Sequence, residues 1–106
     1  MNTNISNVID GDAVLEKTKP LLKMPPMYRV ILMNDDYTPM DFVVWLLKSY
    51  FSMNDEIATR TMLQVHINGK GICGVFTKDV AETKVEQVNQ VSRNSGHPLL
   101  CHLETT

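Results

Sequence analysis

An acidic turn carries the densest polar chemistry of this chain. It reads Asn34-Asp35-Asp36-Tyr37-Thr38-Pro39-Met40. Paired carboxylates serve acid/base chemistry when they lie in a cleft with separate environments, and Asn and Asp are also simply good turn residues. A third reading is a binding corner for a ligand that is cationic at one atom. These three readings stay open from the turn alone.

The flanking residues hold this turn in place. Val30 to Met33 forms an apolar run that predicts a strand. Thr38 stands where a helix N-cap belongs, and Asp41 follows it in a capping-box arrangement. Pro39 suits the first helical position. Fixed acidic groups beside apolar side chains favour a ligand that carries a cation next to an apolar group.

His66 is the second polar residue of interest. A predicted helix over 54–67 places it on the same side as Met62 and Val65. Such a histidine is commonly a boundary residue without a function. Because neither Cys nor His stands three or four positions after His66, a zinc site is poorly supported. We expect neither a metal site nor a cofactor.

An apolar slot between two helices is the predicted binding site. Met40 and Val43 lie one turn apart on a helix over 39–50, and they would face Met62 and Val65. The mouth of the slot would carry Asn34, Asp35, Asp36 and His66. The alternative is that the four apolar residues are ordinary core, which periodicity does not distinguish from a pocket lining.

Composition excludes several classes of function. The chain has 106 residues, 43% of them hydrophobic, and a net charge of -2, so one small domain without affinity for nucleic acid is expected. Its apolar runs are too short to span a membrane, and residues 1–26 lack a signal-peptide pattern. Cys73 and Cys101 are expected to be buried free thiols in a cytoplasmic protein. Catalysis is weakly supported, since neither a nucleophile with a base nor a phosphate loop is evident.

The order of elements predicts an α+β two-layer sandwich. Residues 1–26 are predicted to be a flexible tail and linker, and residues 27–106 a core domain with a three-stranded antiparallel sheet and three helices on one face. Ser52 with Asp55, and Thr77, are expected to cap the second and third helices, and Gly69 to end the second. The predicted elements are strands over 27–34, 71–77 and 99–103, and helices over 39–50, 54–67 and 78–94.

Several motifs in sequence order resemble the ClpS adaptor family over about residues 25–104. They are Tyr28 to Met40, Met62-Leu63 with Val65-His66, Ile72 to Thr77, Val80 to Val85, and His97 to Cys101. The resemblance implies the same fold, which is similar to the C-terminal domain of a ribosomal stalk protein. It also implies a non-enzymatic, monomeric adaptor that binds proteins beginning with Leu, Phe, Tyr or Trp. Such adaptors deliver these N-degron substrates to the AAA+ unfoldase ClpA, the partner of the ClpP protease.

The resemblance implies a role for each matching position. Asn34, Asp35 and His66 would engage the substrate's α-amino group with Asp36 close by, and Thr38 would contact its backbone. Met40 would exclude β-branched residues. The pocket would be lined by Leu32, Met40, Val43, Met62, Val65 and Leu99.

The resemblance also implies a docking surface and a role for the tail. The N-terminal domain of ClpA would dock on the third helix at Asp79 and Lys84, although the family commonly has Glu at position 79. The tail would enter the unfoldase pore. Two alternatives remain: a small hydrolase using Asp35, Asp36 and His66, and a ribosome-associated interaction domain, which rests on fold analogy alone.

Overall fold

A computed structural model describes residues 25–106 of the chain. Of the predicted tail, only Pro25 and Pro26 fall inside this range. Three strands and three helices follow one another: β1 (Met27–Met33), α1 (Met40–Phe51), α2 (Asp55–Asn68), β2 (Lys70–Thr77), α3 (Lys78–Asn94) and β3 (Leu100–Thr105). Each boundary is close to the predicted one, and the largest difference is that β3 ends at Thr105 rather than Leu103.

The three strands form one antiparallel sheet in the order β2-β1-β3. The central strand β1 is the most apolar, and Leu32 pairs with Gly71 on one side and Cys101 on the other. Successive side chains of a strand point to opposite faces, so Val30 and Leu32 enter the core beneath the helices. The predicted α+β fold is confirmed.

One hydrophobic core joins the helices to the sheet. Leu46 and Leu47 of α1, Ala58 of α2 and Val88 of α3 are fully buried against the strands. Cys73 and Cys101 belong to the same core and are free thiols, as predicted. Burial raises the pKa of the Cys101 thiol to about 12 and raises that of Cys73 further.

The outer edge of β3 is covered by a side chain of α3. Asn89 Nδ2 donates to the Cys101 carbonyl oxygen at 2.9 Å, and the Cys101 amide donates to Asn89 Oδ1 at 2.8 Å. The amide group of Asn89 therefore stands where a neighbouring strand would pair.

Two predicted capping boxes are wrong. Pro39 occupies the N-cap of α1, and the Thr38 hydroxyl points back to Asp35 instead of capping the helix. The N-cap of α2 is Asn54, whose side chain accepts from the Ile57 amide at 2.8 Å. Ser52 ends α1 instead, with a positive φ of 56°. Asp35 binds the Thr38 hydroxyl, and Asn54 caps α2 in place of Ser52. The short side chains of Asp and Asn reach nearby donors without strain.

The ends of the other helices fit the sequence more closely. Gly69 ends α2 in the left-handed region, with φ at 88°, as predicted. Thr77 is the N-cap residue of α3, but its side chain makes no capping hydrogen bond. Within residues 25–106, none of the helices is both long and apolar enough to cross a membrane.

Candidate functional site

The acidic turn is ordered by the Asp35 carboxylate. Asp35 Oδ1 accepts hydrogen bonds from the backbone amides of Tyr37 and Thr38, each at 2.8 Å. Asp35 Oδ2 accepts from the Thr38 hydroxyl at 2.8 Å. A carboxylate has about four acceptor positions, so these bonds leave one position for a ligand. The carboxylate thus both holds the turn and keeps capacity for a donor.

The electrostatics of the turn keep Asp35 ionised. Burial raises the pKa of its carboxyl, but hydrogen bonds from Thr38 and Tyr37 and the charge of His97 lower it more. The net result is a pKa below the ordinary value of 3.8. Asp35 therefore carries a full negative charge at neutral pH, as a site for a cation requires.

A cavity of about 170 Å³ opens beside this turn. Polar groups form its mouth, and apolar side chains from α1, α2 and the segment before β3 form its walls. The lining residues are Asn34, Asp35, Asp36, Thr38, Met40, Val43, Met62, Val65, His66 and Leu99. These are all of the predicted amine-binding, backbone-contacting and side-chain pocket residues except one. The exception is Leu32, which is fully buried in the core beneath the site.

The walls differ in how firmly they are packed. Val43, Val65 and Leu99 are buried, so their positions are set by the core. Met40 stands at the mouth, where 48% of its surface is exposed. A flexible side chain at that position is free to move over the opening, whereas the deeper walls are fixed.

Gly71 leaves the space that Val65 occupies in the cavity wall. The sequence did not predict this role for Gly71. A Cβ atom at position 71 would lie 2.7 Å from Val65 Cγ2 and 3.3 Å from Gln64 Oε1. The absence of a side chain lets α2 approach β2 closely, and this places Val65 in the cavity wall. Gly71 begins a predicted strand, but its residue type alone does not show that α2 approaches β2 at this point.

Ser92 and His97 position the segment that carries Leu99. The buried Ser92 hydroxyl lies within hydrogen-bond distance of two carbonyl oxygens, that of His97 at 3.0 Å and that of Leu99 at 2.9 Å. The His97 ring packs edge-on against Phe42 of α1, with 4.4 Å between centroids. Nothing in the sequence pattern marks Ser92 as important for the site, and no periodic pattern places His97 near Asp35.

The two predicted docking residues lie at a separate place on α3. Asp79 and Lys84 line a shallow depression together with Val80, Thr83 and Gln87. Asp79 is exposed, whereas Lys84 is half-buried. Trp45 of α1 has 47% of its surface exposed and packs against Phe42.

The cavity lining combines acidic and other polar groups with apolar side chains, which suits a ligand that carries a cation next to an apolar group. Its lining contains neither Ser nor Cys, and its one hydroxyl, on Thr38, is hydrogen-bonded to Asp35. Among residues 25–106, no three His, Cys, Asp or Glu side chains are grouped as metal ligands.

Comparison with known proteins identifies the family. A family model described as "ATP-dependent Clp protease adaptor protein ClpS" matches residues 23–102. The chain belongs to the ClpS family. The resemblance seen in the sequence motifs is thereby confirmed, and the chain has the role of an adaptor in protein degradation.

A solved ClpS structure is similar in fold and sequence. It is Agrobacterium tumefaciens ClpS2 bound to L-phenylalaninamide, with a TM-score of 0.76 and 36% identity. The match covers 78% of this chain and 100% of that chain. The ClpS fold of the present chain is therefore supported by both comparisons.

Proposed function

We propose that this ClpS chain binds proteins whose first residue is Leu, Phe, Tyr or Trp and delivers them to the AAA+ unfoldase ClpA for degradation by ClpP. One observation carries the proposal: the acidic turn and His66 line the same cavity as four buried apolar side chains, those of Val43, Met62, Val65 and Leu99. A free N-terminal residue has the matching chemistry, since its ammonium group lies two bonds from its side chain. The ligand named for the similar A. tumefaciens protein, L-phenylalaninamide, has the same two features.

The ammonium group would be held by three side chains. Asp35 supplies charge and one unused acceptor position, Asn34 supplies an amide oxygen, and His66 supplies a ring nitrogen. Asp36 and Thr38 line the same cavity; Asp36 would add negative charge nearby, and Thr38 would contact the substrate backbone. Hydrogen bonds to charged groups each contribute roughly 1.5–3 kcal/mol, so this end of the site requires an unmodified amine.

The side chain of the first residue would enter the apolar part of the cavity. Full burial of a Leu or Phe side chain contributes on the order of 1.5–3 kcal/mol, which does not by itself separate Leu from Ile or Val. We assign that discrimination to Met40, whose side chain at the mouth would meet a branched β-carbon. Val43, Met62, Val65 and Leu99 supply the remaining apolar contacts.

Delivery would use parts of the chain away from the cavity. We propose that the N-terminal domain of ClpA docks at the α3 depression that contains Asp79 and Lys84, and that residues 1–23 engage the motor. Deleting residues 1–23 should leave peptide affinity within about two-fold, because every cavity residue lies later in the chain. The same deletion should abolish acceleration of substrate degradation in a reconstituted ClpA–ClpP system.

The deciding experiment is a titration of a peptide panel that differs only at residue one. Peptides starting with Leu, Phe, Tyr and Trp should bind saturably and be recovered unchanged, while their N-acetylated forms should bind about 100-fold more weakly or worse. Cleavage of the peptide would instead favour the alternative of a small hydrolase that uses Asp35, Asp36 and His66. Equal binding of acetylated peptides would overturn the proposal.

A further inference from the structure

Leu99 differs from the other buried walls of the cavity in how it is held. Val43, Met62 and Val65 belong to α1 and α2, whose backbone hydrogen bonds fix their positions. Leu99 lies between the end of α3 and the start of β3 at Leu100, outside any helix or strand. It is nonetheless only 2% exposed, so contacts with another element must hold it in the wall.

Ser92 of α3 supplies these contacts through both its side chain and its backbone. Ser92 is fully buried, and its hydroxyl lies 3.0 Å from the His97 carbonyl oxygen and 2.9 Å from that of Leu99. The Ser92 carbonyl oxygen accepts from the His97 amide at 3.0 Å and from the Ser95 amide at 3.2 Å. The segment from Ser95 to Leu99 is therefore bound at both ends by one residue of α3.

Asn89, three residues earlier on α3, continues the same arrangement along the chain. Its side chain binds the amide and the carbonyl oxygen of Cys101, and residues three apart on a helix lie on one side of it. The carbonyl oxygens of His97, Leu99 and Cys101 thus all meet polar side chains from one face of α3. For this part of the chain, α3 takes the place that a neighbouring strand would have.

We propose that Ser92 is a positioning residue that sets the size of the apolar cavity and thereby the preference among first residues of the substrate, a role that rests on the proposed function. A buried carbonyl oxygen without a donor is unfavourable. Without the Ser92 hydroxyl, the carbonyls of His97 and Leu99 would regain hydrogen bonds by moving toward water. That movement carries the Leu99 side chain outward and enlarges the cavity.

The size of the cavity affects the four proposed first residues differently. Leu has the smallest side chain of the four, so a wider cavity leaves space around it and removes contacts. Trp has the largest, so a wider cavity accommodates it with less displacement of the walls. A change at Ser92 should therefore alter the ratio of the two affinities, whereas a general loss of stability would lower both together.

The test titrates the full-length wild type and Ser92→Ala with peptides that begin with Leu, Phe, Tyr or Trp and are otherwise identical. Fluorescence anisotropy should show the affinity for the Trp peptide, relative to the Leu peptide, rising by about five-fold or more in Ser92→Ala. Ser95→Ala, at an exposed serine just after the same helix, is the matched control and should leave the ratio unchanged. An unchanged or lower ratio in Ser92→Ala would overturn the inference, even if all four affinities fall.

Ser92→Cys separates the hydrogen bond from the volume of the side chain. A thiol fills the space of the hydroxyl but is a weak donor, so Ser92→Cys should shift the ratio in the same direction as Ser92→Ala. A wild-type ratio in Ser92→Cys would show that packing, and not the hydrogen bond, holds the wall, and would contradict the inference.

Amide hydrogen exchange follows the wall in the absence of peptide. In Ser92→Ala, exchange of the His97 amide should speed by about 10-fold, while the Cys101 amide, which Asn89 holds, should change less. Unaltered exchange at His97 would overturn the inference. If the wild-type chain binds none of the four peptides, the proposed function fails and the preference with it. If the wild type binds them and the ratio does not respond to Ser92→Ala, the role of Ser92 alone fails.

Discussion

The Thr38 hydroxyl donates to Asp35 Oδ2 at 2.8 Å, and the Thr38 amide donates to Asp35 Oδ1 at the same distance. Thr38 thus serves the acidic turn and not the helix that follows. The pair makes Asp35 both a structural acceptor and the charged group of the site. Substitutions at Asp35 must therefore separate these two roles.

Asp35→Asn should reduce binding of a Leu-initiated peptide by about 10- to 100-fold, because on the proposed function it removes the charge that would face the ammonium group. The substitution keeps an oxygen that accepts from the Tyr37 and Thr38 amides, so the turn should remain intact. Asp35→Ala removes both functions and should in addition lower the melting temperature. Isothermal titration calorimetry and thermal unfolding of both variants give the comparison. Wild-type affinity in Asp35→Asn would exclude a charge-dependent amine site.

Asp35 should also make the stability of the protein depend on pH in the acidic range. Its pKa in the folded state lies below the ordinary value of 3.8, so the folded state binds its proton more weakly than the unfolded chain does. The resulting stabilisation is fully present above that value and is lost as the pH falls through the folded-state pKa. Urea unfolding at several pH values should show the gap between wild type and Asp35→Asn narrowing below about pH 4. A gap that widens on acidification would contradict this sign.

Met40→Ala should admit peptides that begin with Ile or Val while Leu-initiated peptides still bind. The shorter side chain removes the group that would meet a branched β-carbon at the mouth. Fluorescence anisotropy with peptides differing only at residue one measures the ratio of affinities. The control is Leu63→Ala, which shortens an exposed side chain of α2 that does not line the cavity. If Met40→Ala still rejects both branched residues, another group determines selectivity.

Gly71→Ala should destabilise the fold by about 1–3 kcal/mol, the usual cost of overpacking. The new Cβ would lie 2.7 Å from Val65 Cγ2, which displaces a wall of the cavity, so peptide affinity should fall as well. Adding Val65→Ala removes the methyl group that is struck. The double variant should therefore be more stable than the sum of the two single effects predicts. Strict additivity in denaturant unfolding would show that the two positions do not clash.

Ser52→Gly should stabilise the protein by roughly 0.5–1 kcal/mol. Ser52 ends α1 with φ at 56°, and this left-handed conformation costs a residue with a Cβ about 1–2 kcal/mol. Glycine avoids that cost, but it loses more conformational entropy on folding, which offsets part of the gain. Ser49→Gly, in the interior of the same helix, is the matched control and should destabilise it. Melting temperatures of the two variants measure the difference, and a loss of stability in Ser52→Gly would contradict the strain argument.

The fold and most of the cavity lining followed from local patterns. Apolar periodicity located the strands and helices, and Gly69 marked the end of α2. Leu32 was assigned to the pocket lining by resemblance, but an alternating strand places it in the core. Residue type alone did not show that Asp35, and not the start of α1, would take the hydroxyl of Thr38. The choice depends on the geometry of the whole turn.

Long-range relationships were beyond sequence reasoning. The contact of His97 with Phe42 and the bond of Lys84 to Tyr50 join residues that lie far apart in the chain. Lys84 was assigned to the docking surface by resemblance, and its place in a helix pattern does not predict a hydrogen bond to another helix. Only the packing of α3 across α1 and β2 shows this hydrogen bond.

The amide of Asn89 on the edge of β3 bears on the risk of unwanted association. A protein that collects chains for unfolding meets extended, unpaired polypeptide, which readily adds to an open sheet edge. Asn89 is already hydrogen-bonded to the amide and the carbonyl oxygen of Cys101. At this residue the β3 edge therefore has no free backbone donor or acceptor for another strand. On the proposed function, the adaptor would hold a client by its first residue while Asn89 limits pairing of the client with this part of the β3 edge.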